Sequence, residues 1–234
     1  MIIAVIPARG GSKRVPRKNV KDFCGRPMIA WSIDAALKSG CFDRVIVSTD
    51  DDEIREVAVS CGADVPFRRP PDLSDDFTPT VPVVAHAIRW QQQTAPVERA
   101  CCIYATAPFI QAEDLRAGLT LLAEEAADYA FAATTFEFPV QRAIRIDGRG
   151  HVSMFQPKHM LTRSQDLEPA FHDAGQFYWG RADAWLAGRP IFGPRSVALA
   201  LERQRVQDID TIEDWDRAEL IFNALRARSK KGNA

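Results

Sequence analysis

Cysteine is scarce and poorly spaced for chemistry: Cys24, Cys41, Cys61, Cys101 and Cys102 form no C-x-x-C pair. The four histidines, His86, His151, His159 and His172, are too scattered to make a ligand cluster. These absences exclude a disulfide framework and a structural zinc site, and they leave carboxylates as the candidate metal ligands. No apolar run approaches the length that spans a bilayer, and the apolar start from Met1 to Ile6 runs into a cationic loop in place of a signal-peptide cleavage site. A cytoplasmic protein without a membrane partner is expected. With 30 Lys and Arg against 31 Asp and Glu the net charge is −1, so there is no broad basic field for nucleic acid and any basic site must be local. Internal repeats and low-complexity tracts are absent too. What remains is 234 residues, 46% hydrophobic and 26% charged, an ordinary composition for a globular chain forming one domain with an embellishment.

Ile2 to Ile6 is wholly apolar and stops at Pro7, as expected of a strand buried on both faces of a parallel sheet. Helical periodicity follows from Pro27 to Lys38, ending before Gly40, and Arg44 to Thr49 reads as a second strand, which completes a βαβ unit. Asp52 is positioned to cap a helix ending near Gly62, and Ala63 to Phe67 reads as a short strand. A helix is expected over 80–93 with Pro82 in its first turn, a strand over 100–105, a helix over 112–125 and a strand over 128–134. This alternation indicates an α/β, Rossmann-like, doubly wound and mostly parallel sheet. It breaks over 135–175, an excursion of short, polar, aromatic-rich strand signals in which Asp147 to Gly150 forms a hairpin-type turn. Strands are then expected over 176–180, 197–201 and 204–208, with a short helix over 182–188 between the first two. The closing helix has an approximate capping box, Thr211 with Asp214, and a face formed by Ile212, Trp215, Ala218, Leu220, Ile221 and Leu225; a frayed tail is expected from Ser229 to Ala234.

The loop after the first strand carries the clearest chemistry. Five cations, Arg9, Lys13, Arg14, Arg17 and Lys18, stand within ten residues. Gly10 and Gly11 let the backbone approach an anion and turn N–H groups towards it, while Arg9 and Lys13 can neutralise phosphate oxygens, so a polyphosphate is the natural ligand. Neither the Walker A pattern nor the G-x-G-x-x-G dinucleotide pattern fits this loop.

Ile6-Pro7-Ala8-Arg9-Gly10-Gly11-Ser12-Lys13, with Pro16-Arg17-Lys18-Asn19, resembles the signature loop of the CMP-sialic acid synthetase family, which has a nucleotidyltransferase fold. Further marks recur in order along nearly the whole chain: Val47-Ser48-Thr49-Asp50, Arg69-Pro70 with Leu73-Ser74-Asp75, and Asp208-Ile209-Asp210-Thr211. The resemblance implies that residues 8–13 grip the triphosphate of CTP, that Asn19 meets the ribose or phosphates, and that Arg69 and the backbone near Thr78 and Thr80 meet the cytosine edge. By composition alone Arg69 is a loop arginine. Asp50 reads either as a sugar or second-metal contact or as a helix cap shared with Asp51 and Asp52.

On a strand, Asp208 and Asp210 share one side while Ile209 points to the core, a spacing that suits a hard cation. The resemblance implies that this pair holds Mg²⁺, the expected cofactor. After the fourth strand the sialic acid enzymes carry Leu-Gln-Pro-Thr-Ser-Pro, whereas this chain has Tyr104-Ala105-Thr106-Ala107-Pro108-Phe109. Together with Phe155-Gln156-Pro157, residues 162–167 and residues 171–179, that departure resembles the branch of the family acting on pseudaminic acid. It implies that the excursion reads an acidic nine-carbon sugar through Thr106, Arg142, Arg163, His172 and Gln176, an arginine taking the C1 carboxylate. It also implies a homodimer in which the excursion crosses onto the partner, with Phe136, Phe138, Phe155 and Phe171 suited either to the interface or to packing within one chain.

The implied reaction is in-line attack of the sugar's anomeric hydroxyl on the α-phosphorus of CTP. Arg9, Ser12, Lys13 and Lys18 would stabilise the departing pyrophosphate with Asp208 and Asp210 on the metal; no side chain stands out as a general base. Activation of a different nonulosonic acid, such as legionaminic or N-acetylneuraminic acid, is the alternative within the class. A nucleotide-sugar glycosyltransferase would also use the Asp-x-Asp pair, but a donor lacking terminal phosphates has less need of five cations. A nucleotide sensor would bind CTP without turnover.

Overall fold

The computed structural model of the chain describes residues 1–232. Its strands and helices, in order, are β1 (Ile2–Pro7), β2 (Asp22–Phe23), β3 (Arg26–Pro27), α1 (Met28–Ser39), β4 (Arg44–Ser48), α2 (Asp52–Ser60), α3 (Thr80–Gln91), β5 (Arg99–Ile103), α4 (Ala112–Glu124), β6 (Tyr129–Thr135), β7 (Ile144–Ile146), β8 (Val152–Met154), β9 (Phe171–Arg181), α5 (Ala182–Leu186), β10 (Ser196–Ala200) and α6 (Ile212–Gly232). Six strands form one sheet in the order β10-β6-β9-β5-β1-β4. Every pairing is parallel except those of β9, which runs antiparallel between β5 and β6. The α/β, mostly parallel sheet expected from the sequence is thus the observed architecture.

Period-two alternation along buried strands supplies both faces of this sheet. Ala4 and Ile6 of β1, with Cys101 and Ile103 of β5, pack beneath Ile29, Ile54 and Leu115 of α1, α2 and α4. Ile3, Val5, Ala100 and Cys102 face the other way, against Val84 of α3 and Trp185 of α5. Helix α1 stops where Gly40 takes the left-handed conformation at φ 66°, which a glycine adopts without steric cost.

β1 pairs with β4 on one side and β5 on the other, so successive crossovers leave it in opposite directions, and the crevice beyond its carboxyl end is a topological switch point. β10 is parallel to β6, and Ile103 of β5 lies opposite Phe177 of β9, so the chain leaving β10 and the chain entering β9 both lie at the carboxyl edge of the sheet. The excursion between β6 and β9 stands on that edge as well. Its β7–β8 hairpin closes as expected at Asp147, whose Oδ1 accepts from the backbone N–H of Arg149 at 2.8 Å and His151 at 2.9 Å.

Several local expectations are corrected. The helix cap is Asp51 rather than Asp52: its Oδ1 accepts from Ile54 N at 2.9 Å. Residues 63–67 make one isolated bridge, Asp64 with Ile46, and Arg68 makes another with Thr49, because a single rung cannot continue once the chain turns to Pro70. The expected strand over 204–208 is a 3₁₀ turn at Arg203–Arg205 followed by irregular backbone, since Arg205 is drawn towards α4 and away from a strand partner. On α6 the Thr211–Asp214 box forms reciprocally at 2.9 and 3.1 Å. The buried face there is Trp215, Ala218 and Phe222, while Ile212 and Leu220 are exposed. That helix continues to Gly232 where a frayed tail was expected from Ser229; residues 233 and 234 lie outside the described residues. Among the described residues no helix is long and apolar enough to cross a membrane.

Candidate active site

At the switch point a cleft of about 270 Å³ is lined by Pro7, Arg9, Ser12, Lys13, Arg14, Val15, Lys18, Asn19, Thr80, Tyr104, Ala105, Thr106 and Asp210. Four of the loop's five cations face it. The loop is held open by contacts that the sequence dictates residue by residue. Ala8 N donates to Ser48 O at 2.9 Å, extending the β1–β4 ladder by one rung. Gly10 N donates to Asp50 Oδ1 at 3.0 Å, which makes Asp50 a support of the loop. A Cβ at Gly10 would lie 2.7 Å from Asp51 Oδ2, so only glycine fits there. Asn19, nearly buried, donates from Nδ2 to Arg9 O at 2.9 Å.

Arg17, the fifth cation, points away from the cleft. Its guanidinium grips Asp51 with bonds of 2.7 and 3.0 Å and also reaches Glu53. The bidentate contact lowers the Asp51 carboxyl to about 2 and raises Arg17 further above its ordinary value. Val15 is buried in a separate apolar cluster with Phe23, Phe109, Ile209, Trp215 and Phe222, so the loop and the segment before α6 share one core.

That shared core brings the two ends of the chain together. Ile209 is 2% exposed, and its burial is worth about 1.5–3 kcal/mol. The residues flanking it, Asp208 and Asp210, stay nearer the surface; Asp210 lines the cleft and Asp208 is not among its lining residues, and the backbone there is not the strand expected from the sequence. Lys18 Nζ donates to Ile209 O at 2.6 Å and lies 3.5 Å from Asp210 Oδ1, while Arg14 Nη2 lies 2.9 Å from the same oxygen. Partial burial of its carboxyl, then the neighbouring Asp210 charge, push Asp208 above the usual carboxylate range against the opposing pull of Lys18. Among the described residues no three His, Cys, Asp or Glu side chains are grouped to hold a metal. Asp210 presents a carboxylate to the cleft, the donor type a hard cation takes, as Mg²⁺ takes one or two carboxylates and completes its shell with phosphates and water.

One partner of the loop had no signal in the sequence. Asp76, on the segment between β4 and α3, places one carboxylate oxygen on Arg9 Nη1 and the other on Lys13 Nζ. Both cations hold the Asp76 carboxyl below its ordinary range. A protein carboxylate thus stands where the loop's chemistry calls for an anion.

The other site candidates divide. Thr80 Oγ1 lies 3.4 Å from Tyr104 OH on the cleft wall, and Thr106 lines the same wall. The Thr78 hydroxyl is tied to Asp75 Oδ1 at 2.6 Å. Arg69 is buried behind the cleft. Its Nε meets Ser48 Oγ at 3.2 Å and its Nη1 meets Leu73 O at 3.4 Å, while its Nη2 donates to Ser48 O; burial lowers the guanidinium to about 10. Gln176 turns inward and donates to Arg205 O at 2.5 Å. Within one chain, His172, Arg142 and Arg163 lie outside the cleft: His172 edges a second hollow with Thr134 and Arg203, Arg142 a third with Phe138, and Arg163 pairs with Asp166 at 2.6 Å.

Comparison with known proteins shows the family and the fold. A family model described as cytidylyltransferase matches residues 3–205. The pseudaminic acid cytidylyltransferase of Campylobacter jejuni subsp. jejuni serotype O:2 is 47% identical over 94% of this chain and 95% of its own length. The CMP-N,N'-diacetyllegionaminic acid synthase of Legionella pneumophila is 30% identical over 94% of this chain and 96% of its own. A solved CMP:2-keto-3-deoxy-manno-octonic acid synthetase complexed with CTP superposes with a TM-score of 0.68 at 18% identity, covering 97% of this chain and 99% of that one, which is a likeness of fold. With a loop of four inward cations at the switch point and a family match spanning most of its length, the chain belongs to the cytidylyltransferase family.

Proposed function

We propose that this protein transfers CMP from CTP to the anomeric hydroxyl of pseudaminic acid, releasing pyrophosphate. The observation that carries the reading is the 47% identity, end to end, with an enzyme of that name. The cationic cleft supplies its chemistry. Arg9, Ser12 and Lys13 bind the β- and γ-phosphates, displacing Asp76, and neutralise the charge that grows on the leaving pyrophosphate. Lys18 holds the segment bearing Asp210 while keeping its ammonium at the cleft. Arg69 and the backbone near Thr78 and Thr80 shape the cytosine end, Arg69 by ordering the chain around Ser48 and Leu73.

Asp208 and Asp210 would hold Mg²⁺, which when bound supplies charge neutralisation at the phosphates and lowers the acceptor hydroxyl's pKa. Thr106 on the cleft wall contributes to the acceptor side. Arg142, Arg163 and His172 reach an acceptor from the excursion of a partner subunit, and the protein acts as a homodimer in the cytoplasm. The support for that assembly is apolar surface: Phe138 is 76% exposed, Phe155 57% and Leu161 93%, with Phe136 and Phe171 beside them on the same segment.

The test is an acceptor panel of pseudaminic, legionaminic, N-acetylneuraminic and 3-deoxy-octulosonic acids with CTP and Mg²⁺, the products identified by NMR. Pseudaminic acid is expected to give the highest kcat/KM. Turnover confined to N-acetylneuraminic or 3-deoxy-octulosonic acid would overturn the assignment. Preference for legionaminic acid would establish the second reading, which the 30% identical relative favours.

A further inference from the structure

The segment that carries Asp208 and Asp210 has no regular backbone partner between β10 and α6, so side chains must hold it. Downstream, the burial of Ile209 and the Lys18 bond do so. Upstream, Val206 packs against the main core and two side-chain anchors act on Arg205. Its guanidinium is chelated by Asp114 of α4, with Nη1 to Oδ2 at 2.5 Å and Nη2 to Oδ1 at 3.1 Å, and both side chains are at most 15% exposed. Its carbonyl oxygen accepts from Gln176 Nε2 of β9 at 2.5 Å.

Gln176 is 3% exposed, and its other polar atom, Oε1, is buried without a partner. An orphaned buried acceptor is unfavourable, and an apolar side chain of the same shape would avoid it. The amide at this position therefore does something other than stabilise the core. Its one hydrogen bond fixes the backbone three residues before Asp208.

We propose that Gln176 and the Asp114–Arg205 ion pair are positioning residues for the carboxylate pair: they set where Asp208 and Asp210 stand against the phosphate loop and so tune cation affinity. This rests on the reading of Asp208 and Asp210 as the cation's ligands. Supports one step behind metal ligands typically change affinity roughly 10–100-fold when removed.

The experiment measures Mn²⁺ binding by electron paramagnetic resonance on enzyme and CTP without acceptor, so that no turnover is needed, alongside KM for CTP at saturating Mg²⁺. Two variants are compared with wild type: Gln176→Met, close in volume but without a donor, and Arg205→Lys, which keeps the charge but not the two-pronged geometry. Both are expected to weaken Mn²⁺ binding roughly tenfold, with KM for CTP changed less than about twofold and the melting transition still cooperative. Wild-type Mn²⁺ affinity in either folded variant would overturn the proposal, as would an equal loss of CTP and Mn²⁺ affinity, the mark of a merely structural role. Asp210→Asn in the same assay separates the two layers. If it leaves Mn²⁺ binding intact, the ligand assignment itself fails; if it abolishes binding while Gln176→Met has no effect, only the positioning idea fails.

Discussion

Lys18 donates from Nζ to the carbonyl oxygen of Ile209 at 2.6 Å, a bond that spans 191 residues and joins the loop after the first strand to the segment before the last helix. The same ammonium lies 3.5 Å from Asp210, so one side chain both closes the site and contributes charge to it. Lys18→Met keeps most of the stem's packing but loses both effects. Turnover is expected to fall at least ~100-fold, the scale of losing a preorganised donor. Steady-state kinetics at saturating CTP check this; activity within a few-fold of wild type would remove Lys18 from the mechanism.

Asp76 pairs with Arg9 and Lys13, the two cations proposed to take the nucleotide's phosphates, and would have to give them up to it. Because the pair is solvent-exposed, the competition is modest, and Asp76→Asn is expected to lower KM for CTP roughly two- to fivefold at low ionic strength. An unchanged or higher KM in initial-rate assays would show that Asp76 assists binding or takes no part in it.

His86 gives the stability an acid limb. Burial, with its Nδ1 left unpartnered, lowers the imidazole below its ordinary pKa. The unfolded chain therefore binds the proton at higher pH than the folded one, and stability declines as pH falls below about 6.5 towards the lowered value. His86→Leu is expected to flatten that decline. Urea denaturation midpoints from pH 7.5 downwards check it, and parallel slopes in the two proteins would contradict it.

Gly180 sits where β9 passes under Trp185 and Tyr129. An added Cβ would lie 2.4 Å from Trp185 Nε1 and 2.7 Å from Tyr129 Cδ1, and that indole already donates to Ala100 O at 3.1 Å. Gly180→Ala is expected to cost about 2–3 kcal/mol, lowering the melting temperature by roughly 5–10 °C. A calorimetric shift under a degree would mean that the rings move aside freely.

Parallel strands were readable because burial on both faces makes them plain apolar runs; Ile3 to Ile6 divide between two cores without interrupting the hydrophobic pattern. β9 was only half readable: residues 176–180 are buried or nearly so, but the strand begins with exposed Phe171, His172 and Asp173. Around Ile209 the alternation was readable as one buried residue between two polar ones, and Ile209 is buried, but the strand that would put Asp208 and Asp210 on one side does not form and only Asp210 lines the cleft. On α6 a continuous periodic count admitted Leu220, whereas the packed face follows 215, 218 and 222.

Charge type does not disclose direction. Arg17 and Arg69 look like Arg9 in sequence, yet their guanidinium groups are spent on Asp51 and on the backbone of Ser48 and Leu73. Asp76 acts across 67 residues on Arg9, a separation at which no local pattern speaks. The excursion's cations, Arg142 and Arg163, were named through resemblance, and a single chain leaves them outside the cleft.

The most direct test of the account is pyrophosphate release from CTP with pseudaminic acid, measured with Mg²⁺ and again after chelation by EDTA, in the wild-type enzyme and in Lys13→Ala. Rapid release by the wild-type protein, its loss on chelation, and at least ~100-fold slower release by the variant are expected. Release that persists in EDTA, or a Lys13→Ala rate near that of the wild type, would contradict a site in which the loop clamps the leaving group opposite a carboxylate-held cation.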